Sequence, residues 1–156
     1  MNIINTQYSV SGKYLEIFLT GCKRTNKCKG QCHNSSLWEF NQGTDWGFWK
    51  DKITNKIKEF SDVIDYVFVT GGEPLDQDEW ELVDLFIFLK TRNKPIVLFT
   101  SYSFKKISDK VKMFVDYIKC EPYLTDRQEK DVGICVLASD NQILYKKEPN
   151  GEWSCV

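Results

Sequence analysis

Short apolar runs rich in strand-forming residues alternate along this chain with longer segments of helical periodicity. The runs that predict strands are residues 14–19, 63–69, 95–100 and 115–120. The segments with apolar residues at helical spacing are 45–60, 76–90 and 103–114. Thr44 or Asp45 is the candidate cap of the first helix. Strands that alternate with helices predict a parallel sheet with right-handed crossovers, and four such units are too few for a closed eight-stranded barrel.

The C-terminal part has a different pattern. Residues 134–137 and 143–145 are short strand-like runs, and residues 138–142 between them are small and polar. This pattern predicts a hairpin within residues 132–147 that closes the domain. The chain has 156 residues, which is the length of one domain, so we expect residues 1–156 to form a single unit.

Composition limits the class of partner. The net charge is −1, so the chain lacks the basic footprint of a protein that binds nucleic acid or an acidic membrane. No apolar stretch is long enough to cross a bilayer, and the N-terminus lacks the features of a signal peptide. We therefore expect a cytoplasmic protein, in which the six cysteines are thiols or metal ligands rather than disulfides.

Three of the six cysteines are clustered directly after the first predicted strand. Cys22, Cys28 and Cys32 fall within residues 22–32, whereas Cys120, Cys135 and Cys155 are scattered. A structural zinc site needs four closed ligands, whereas a 4Fe–4S cluster held by three thiolates keeps one iron open for a small molecule. The pattern favours iron–sulfur. Zinc, with His33 or Cys120 as the fourth ligand, stays open as the alternative.

A second motif, Thr-Gly-Gly-Glu-Pro at residues 70–74, lies where the second predicted strand ends. Glycines let a backbone approach a ligand closely, and Glu73 and exposed carbonyls are acceptors suited to a ligand's ammonium group. Gly-Gly turns are also common in parallel sheets that bind nothing. The combination with a three-cysteine loop one strand earlier makes a functional interpretation more specific.

These two motifs together resemble the radical S-adenosylmethionine superfamily, which joins a three-cysteine loop to a Gly-Gly-Glu-Pro motif. Residues 28–38, with His33 and Asn34 after the last cysteine and Trp38 beyond, are similar to the activators of anaerobic ribonucleoside-triphosphate reductases. Residues 99–103 and 138–142 resemble two further segments of that family. The likeness spans residues 15–147. Two features depart from it: the intervals of five and three residues between the cysteines are longer than in the family, and residues 120–123 lack its Asp-Gly-Pro.

The resemblance implies a fold, a chemistry and a partner. The fold would be an open partial (β/α) barrel with a mostly parallel sheet and a C-terminal hairpin. Cys22, Cys28 and Cys32 would hold a 4Fe–4S cluster whose electron cleaves S-adenosylmethionine, and the resulting radical would take a hydrogen atom from a glycine of the large reductase subunit. An electron donor would be a second partner. The implied cofactor-binding residues are Gln31, Cys32, His33, Thr70, Gly71, Gly72, Glu73, Thr100 and Ser101.

Two rival functions remain at this point. One is a radical enzyme of the same class that acts on another protein or on a small molecule, as in deazaguanine synthesis or peptide modification. The short chain argues against it, because little is left to enclose a small substrate. The other is a zinc-binding interaction module without enzymatic activity.

Overall fold

An eight-stranded mixed sheet forms the centre of the fold. The computed structural model describes residues 1–23 and 32–156 of the chain. Its strands are β1 (Asn2–Ser9), β2 (Tyr14–Leu19), β3 (Thr44–Asp45), β4 (Tyr66–Gly71), β5 (Ile96–Phe99), β6 (Tyr117–Cys120), β7 (Lys130–Asp131), β8 (Val136–Leu137), β9 (Ile143–Lys147) and β10 (Trp153–Cys155). Its α-helices are α1 (Lys50–Glu59), α2 (Glu79–Lys90) and α3 (Asp109–Phe114). Short 3-10 turns lie at Ser35–Leu37, Trp46–Trp49, Pro74–Asp76 and Phe104–Lys106.

The predicted alternation of strands and helices is present in the middle of the sheet. Strands β2, β4, β5 and β6 are neighbours and run parallel, and α1, α2 and α3 lie in the three connections between them. The predicted helices are shorter than expected because each begins with a separate 3-10 turn. Asp45 does cap the first of these turns, since its side chain accepts from the Gly47 N–H.

The prediction of a partial (β/α) barrel with a mostly parallel sheet is wrong. The strand order is β10-β9-β6-β5-β4-β2-β1-β3, and β1–β2, β1–β3, β6–β9 and β9–β10 all pair antiparallel. The structure is therefore an open mixed sheet with three parallel and four antiparallel pairings. The prediction failed mainly because β1 was not recognised as a strand, since its many polar residues do not form a strand-like apolar pattern. In the structure β1 pairs antiparallel with β2, and Lys13 in the turn between them has a φ of 51°.

The predicted C-terminal hairpin is also wrong in its pairing. Strand β8 pairs with β7, and β9 pairs with β6 and β10 instead of with β8. Residues 138–142 do not turn back on β8 because their side chains bind the segment after β6. Asn141 Nδ2 donates to Pro122 O at 2.9 Å, and Gln142 Nε2 donates to Glu121 O at 3.1 Å.

The two faces of the sheet are covered differently. The larger core includes Leu15, Ile17 and Leu19 of β2 and the buried residues of the three helices. The opposite face carries a smaller cluster around Phe68 and Val97, against which residues from 132–137 pack. Because side chains alternate along a strand, every second residue of β2, β4, β5 and β6 points to this second face. None of the helices that the structure describes is long and apolar enough to cross a membrane.

Candidate functional site

A cavity of about 590 Å³ lies at the C-terminal ends of β2, β4 and β5 and extends along the second face of the sheet. Its lining includes the described cysteines of the cluster loop, the Gly-Gly turn, the end of β5 and the segment after β6. Of the predicted site residues, the structure brings Cys22, Cys32, His33, Thr70, Gly71, Gly72, Glu73, Thr100 and Ser101 to this one cavity. Cys28 and Gln31 lie outside the described residues.

Backbone pairing brings the two ends of the cysteine loop together. Gly21 N donates to Leu37 O at 2.8 Å, and Cys22 N donates to Trp38 O at 2.9 Å. Cys22 and Cys32 are therefore on the wall of the same cavity, and both are half-buried cysteines outside any disulfide. Partly exposed thiols at a shared cavity are suited to bind a metal cluster. Within residues 1–23 and 32–156 no group of three His, Cys, Asp or Glu side chains could hold a metal ion, so the three-cysteine site stays a prediction.

The Gly-Gly turn packs directly on the backbone that leads to Cys22. Gly71 has a φ of +116°, and a Cβ on it would lie 2.2 Å from Leu19 O. A Cβ on Gly72 would lie 2.3 Å from Gly21 O and 2.9 Å from Leu37 O. The Gly-Gly pattern predicted that both glycines let the backbone come close to a ligand. The structure shows that what approaches them is the chain's own backbone, so the turn and the cysteine loop form one packed unit.

Glu73 lies at this cavity, but its carboxylate is occupied from within the protein. Oε1 accepts from Thr100 Oγ1 at 2.6 Å and from Leu75 N at 3.1 Å. Oε2 accepts from Ser101 N at 2.8 Å and from Ser101 Oγ at 2.6 Å. A carboxylate has about four lone-pair positions, so Glu73 has little capacity left for a ligand. Burial raises the pKa of Glu73, and its four hydrogen bonds act in the opposite direction.

The arrangement of Glu73 therefore gives Thr100 and Ser101 a structural task. Both hydroxyls donate to the Glu73 carboxylate, which ties the end of β5 to the turn after β4. Thr100 Oγ1 also accepts from Tyr102 N at 3.1 Å. On the other side of the turn, Asn34 Nδ2 donates to Gly71 O at 2.9 Å. These bonds hold the ends of β4 and β5 and the returning cysteine loop in one arrangement.

Asp76 and Gln77 support the cysteine loop, and the sequence analysis missed both. The buried Asp76 carboxylate accepts from Lys23 N at 2.5 Å and from Tyr102 OH at 2.7 Å. Gln77 Nε2 lies 3.0 Å from Thr20 O and 3.2 Å from Gly21 O. The only signal in the sequence is that both residues follow the Gly-Gly-Glu-Pro motif within a few positions.

A ring contact joins the returning cysteine loop to the segment after β6. The His33 and Tyr123 rings lie 4.5 Å apart between centroids and are tilted by 46°. Tyr123 belongs to the segment that Asn141 and Gln142 hold in place. The His33 imidazole therefore has a packing partner at the cavity wall.

Two charged side chains at the cavity, Glu16 and Lys119, were also missed. Both point to the second face of the sheet, Glu16 from β2 and Lys119 from β6. Burial raises the pKa of Glu16 to about 7. Lys119 Nζ lies 5.0 Å from the centre of the Phe99 ring. From strand periodicity alone, Glu16 and Lys119 would be expected to face solvent, because the pattern within a strand does not show which segment covers the second face of the sheet.

Two of the scattered cysteines, Cys120 and Cys135, are poorly suited to bind a metal. Cys120 is fully buried in the larger core, and burial raises the pKa of its thiol to about 12. Burial also raises the pKa of Cys135, to about 11. Metal ligands are thiolates, so thiols that keep their protons are inert. Cys120 is absent from the lining of the described cavity, which removes it as the fourth ligand of the zinc alternative.

Comparison with known proteins gives one family. The sequence model of the 4Fe-4S single cluster domain family matches residues 11–134. The matched part includes the cluster loop, the Gly-Gly turn, Glu16 and Lys119. Comparison with the curated proteins finds no match.

Proposed function

Because the chain belongs to the 4Fe-4S single cluster domain family, we propose that it is a radical S-adenosylmethionine enzyme that activates an anaerobic ribonucleoside-triphosphate reductase. One observation carries the proposal: both described cysteines of the cluster loop and the Gly-Gly turn line a single cavity. A cluster that served only electron transfer would need no adjoining cavity of about 590 Å³. A cavity of that size falls in the range of small-molecule sites.

The residues present fit the proposed cofactors. Cys22, Cys28 and Cys32 would hold the cluster, and the cavity beside the turn at residues 70–72 would hold S-adenosylmethionine. When bound, the cluster and S-adenosylmethionine supply the one-electron chemistry that removes a hydrogen atom from a substrate glycine.

The protein's own residues act by positioning. Gly71 and Gly72 bring the turn after β4 against the strand that ends at Cys22, so both parts of the site share one backbone frame. Glu73 is a positioning residue that joins this frame to Thr100 and Ser101. Such fixed support is what a reactive centre requires, since misplacement by 1 Å lowers rates steeply.

His33 and Tyr123 cover part of the cavity wall with aromatic surface and so help to exclude water. A dry site protects a reactive radical from side reactions.

The size of the same cavity also favours one rival function. The cavity volume of about 590 Å³ lies in the range of small-molecule sites, which weakens the argument that a short chain leaves no room for a small substrate. A radical enzyme that acts on a small molecule or on another protein is therefore the second candidate. The experiment below separates it from a reductase activator.

The test begins with anaerobic reconstitution of the protein. We expect about four iron atoms per chain, as in a cubane cluster, and formation of methionine and 5′-deoxyadenosine from S-adenosylmethionine after reduction. Mixed with the large reductase subunit, the protein should produce the doublet of a glycyl radical in electron paramagnetic resonance. The matched control is a reductase in which the radical-site glycine is alanine, which should give no doublet.

Different failures have different meanings. If the protein bound iron but did not cleave S-adenosylmethionine, the proposal that it is a radical enzyme would be refuted. If S-adenosylmethionine were cleaved but no glycyl-radical doublet appeared, the reductase would not be the substrate. That result would favour a radical enzyme that acts on a small molecule or on another protein.

A further inference from the structure

We infer that Glu16 forms a subsite for a cationic side chain, a lysine or arginine, of the protein segment that enters the cavity. The inference rests on the proposed function, because it assumes that the substrate is a segment of another protein. Glu16 lines the cavity, but it lies outside both the cysteine loop and the Thr-Gly-Gly-Glu-Pro motif.

Glu16 lies deep along the sheet, away from the cluster end of the cavity. It is in register with Phe68 of β4, and Phe68 is in register with Val97 of β5. Gly72 follows Phe68 by four residues, which is about 13 Å along an extended strand. A group that contacts Glu16 is therefore well separated from a group that contacts the Gly-Gly turn.

The Glu16 carboxylate is unpaired among the residues that the structure describes. Within residues 1–23 and 32–156 no hydrogen-bond donor or cation pairs with it, and desolvation is the one influence on its charge. Lys119 also lines the cavity, but two strands stand between β2 and β6, which separates these strands by about 14 Å. Glu16 is half-buried at the cavity wall, so its carboxylate loses part of its hydration, and a cation in the cavity would compensate for that loss.

The surroundings favour a cation over a neutral donor. The register neighbours Phe68 and Val97 are apolar and buried, so the local dielectric constant is low. In such a place an opposite charge stabilises a carboxylate more than a hydroxyl or an amide does. Desolvation raises the pKa of Glu16, and a cation bound beside it would favour the charged form again.

Two sources of positive charge could reach the cavity. One is S-adenosylmethionine, which carries an ammonium and a sulfonium group, and the other is a basic side chain of the substrate protein. The separation of about 13 Å between the levels of Glu16 and Gly72 favours the substrate. The experiment therefore measures both ligands.

The probe is a short synthetic peptide with the sequence around the radical-site glycine of the reductase, labelled for fluorescence anisotropy. A second peptide has its lysines and arginines replaced by glutamine. Both are titrated into the anaerobic, cluster-loaded protein with S-adenosylmethionine present. The variants are Glu16→Gln, Glu16→Asp as the charge-conserving change, and Glu59→Gln as a matched control on the exposed end of α1.

We expect Glu16→Gln to weaken binding of the basic peptide about tenfold and to leave the neutral peptide unchanged. Glu16→Asp should retain part of the preference, Glu59→Gln should behave as wild type, and the Kd of S-adenosylmethionine should stay constant in all of them. Equal weakening of both peptides, no peptide binding by the wild type, or a change confined to S-adenosylmethionine would each overturn the inference.

The glycyl-radical doublet of the wild type separates this result from the proposed function. A charge-dependent peptide preference without a doublet would support the subsite and refute reductase activation. A doublet without that preference would support the activation and refute the subsite.

Discussion

Replacement of Gly72 by alanine tests whether the glycine turn and the cysteine loop are one packed unit. The new Cβ would lie 2.3 Å from Gly21 O, whereas ordinary contacts begin at 3.4 Å. Gly21 would have to retreat by about 1 Å, which a close-packed interior resists. It is held on both sides, because Gly21 N donates to Leu37 O at 2.8 Å and Gly21 O accepts from Glu73 N at 2.8 Å.

The magnitude follows from these contacts. Overpacking of a filled site costs about 1–3 kcal/mol, and loss of one of the backbone hydrogen bonds adds about 1 kcal/mol. We therefore expect Gly72→Ala to lower the free energy of unfolding by about 3 kcal/mol. Since Gly21 directly precedes Cys22, the variant should also retain less iron per chain than the wild type.

The assay is anaerobic urea denaturation followed by circular dichroism, with iron analysis on the same samples. Gly133→Ala is the matched control: Gly133 has a φ of +82°, and a Cβ on it would meet nothing within 4 Å. Backbone strain alone should then cost about 1–2 kcal/mol without loss of iron. If Gly72→Ala were no more destabilising than Gly133→Ala and kept its iron, the packing argument would be wrong.

Three further predictions concern the thiols and the carboxylates. Cys22→Ser should abolish the thiolate-to-iron absorption band and Cys135→Ser should keep it; an intact band in the first variant would exclude Cys22 as a ligand. Burial raises the pKa of Glu16 from 4.5 to about 7. Between these two pH values the folded state therefore binds more protons than the unfolded state, and the free energy of unfolding falls as the pH rises. Relative to Glu16→Gln, the wild type should lose at most about 3 kcal/mol from pH 4.5 to 7.5, measured by urea midpoints; a constant difference would contradict the burial of this carboxylate. In Glu73→Gln the amide NH₂ faces two of the four donors, so the change should cost about 2 kcal/mol in the same assay. An unchanged urea midpoint would contradict the role of this carboxylate in joining β4 to β5.

The centre of the sheet could be predicted from the sequence because its strands are continuous apolar runs. Tyr66–Gly71 and Ile96–Phe99 are such runs, and burial on both faces leaves no ambiguity about their type. The strand Asn2–Ser9, which lies between β2 and the short edge strand β3, alternates poorly and was not predicted. Without it, the antiparallel edge of the sheet could not be anticipated, and the expected barrel-like architecture was wrong.

The site was predicted in part for a similar reason. Cysteines and paired glycines reveal their chemistry by residue type, so the two motifs could be located from local sequence. Asp76 acts through contacts with Lys23 and Tyr102, which are 53 and 26 positions away. Glu16 acquires its environment from a distant segment that covers the second face. Interactions of this range leave no periodicity in the sequence.

The cover of that second face has a consequence for exchange with solvent. It consists largely of the segment around β7 and β8, strands of two residues each that form a separate two-stranded sheet, whereas α1, α2 and α3 cover the opposite face. Segments with few buried contacts open at a lower free energy than the core. Backbone amides in residues 130–137 should therefore exchange with deuterium by local opening, while those of β4 and β5 exchange only when the whole protein unfolds. Such an opening would admit a ligand to the inner end of the cavity without movement of the cysteine loop or the glycine turn.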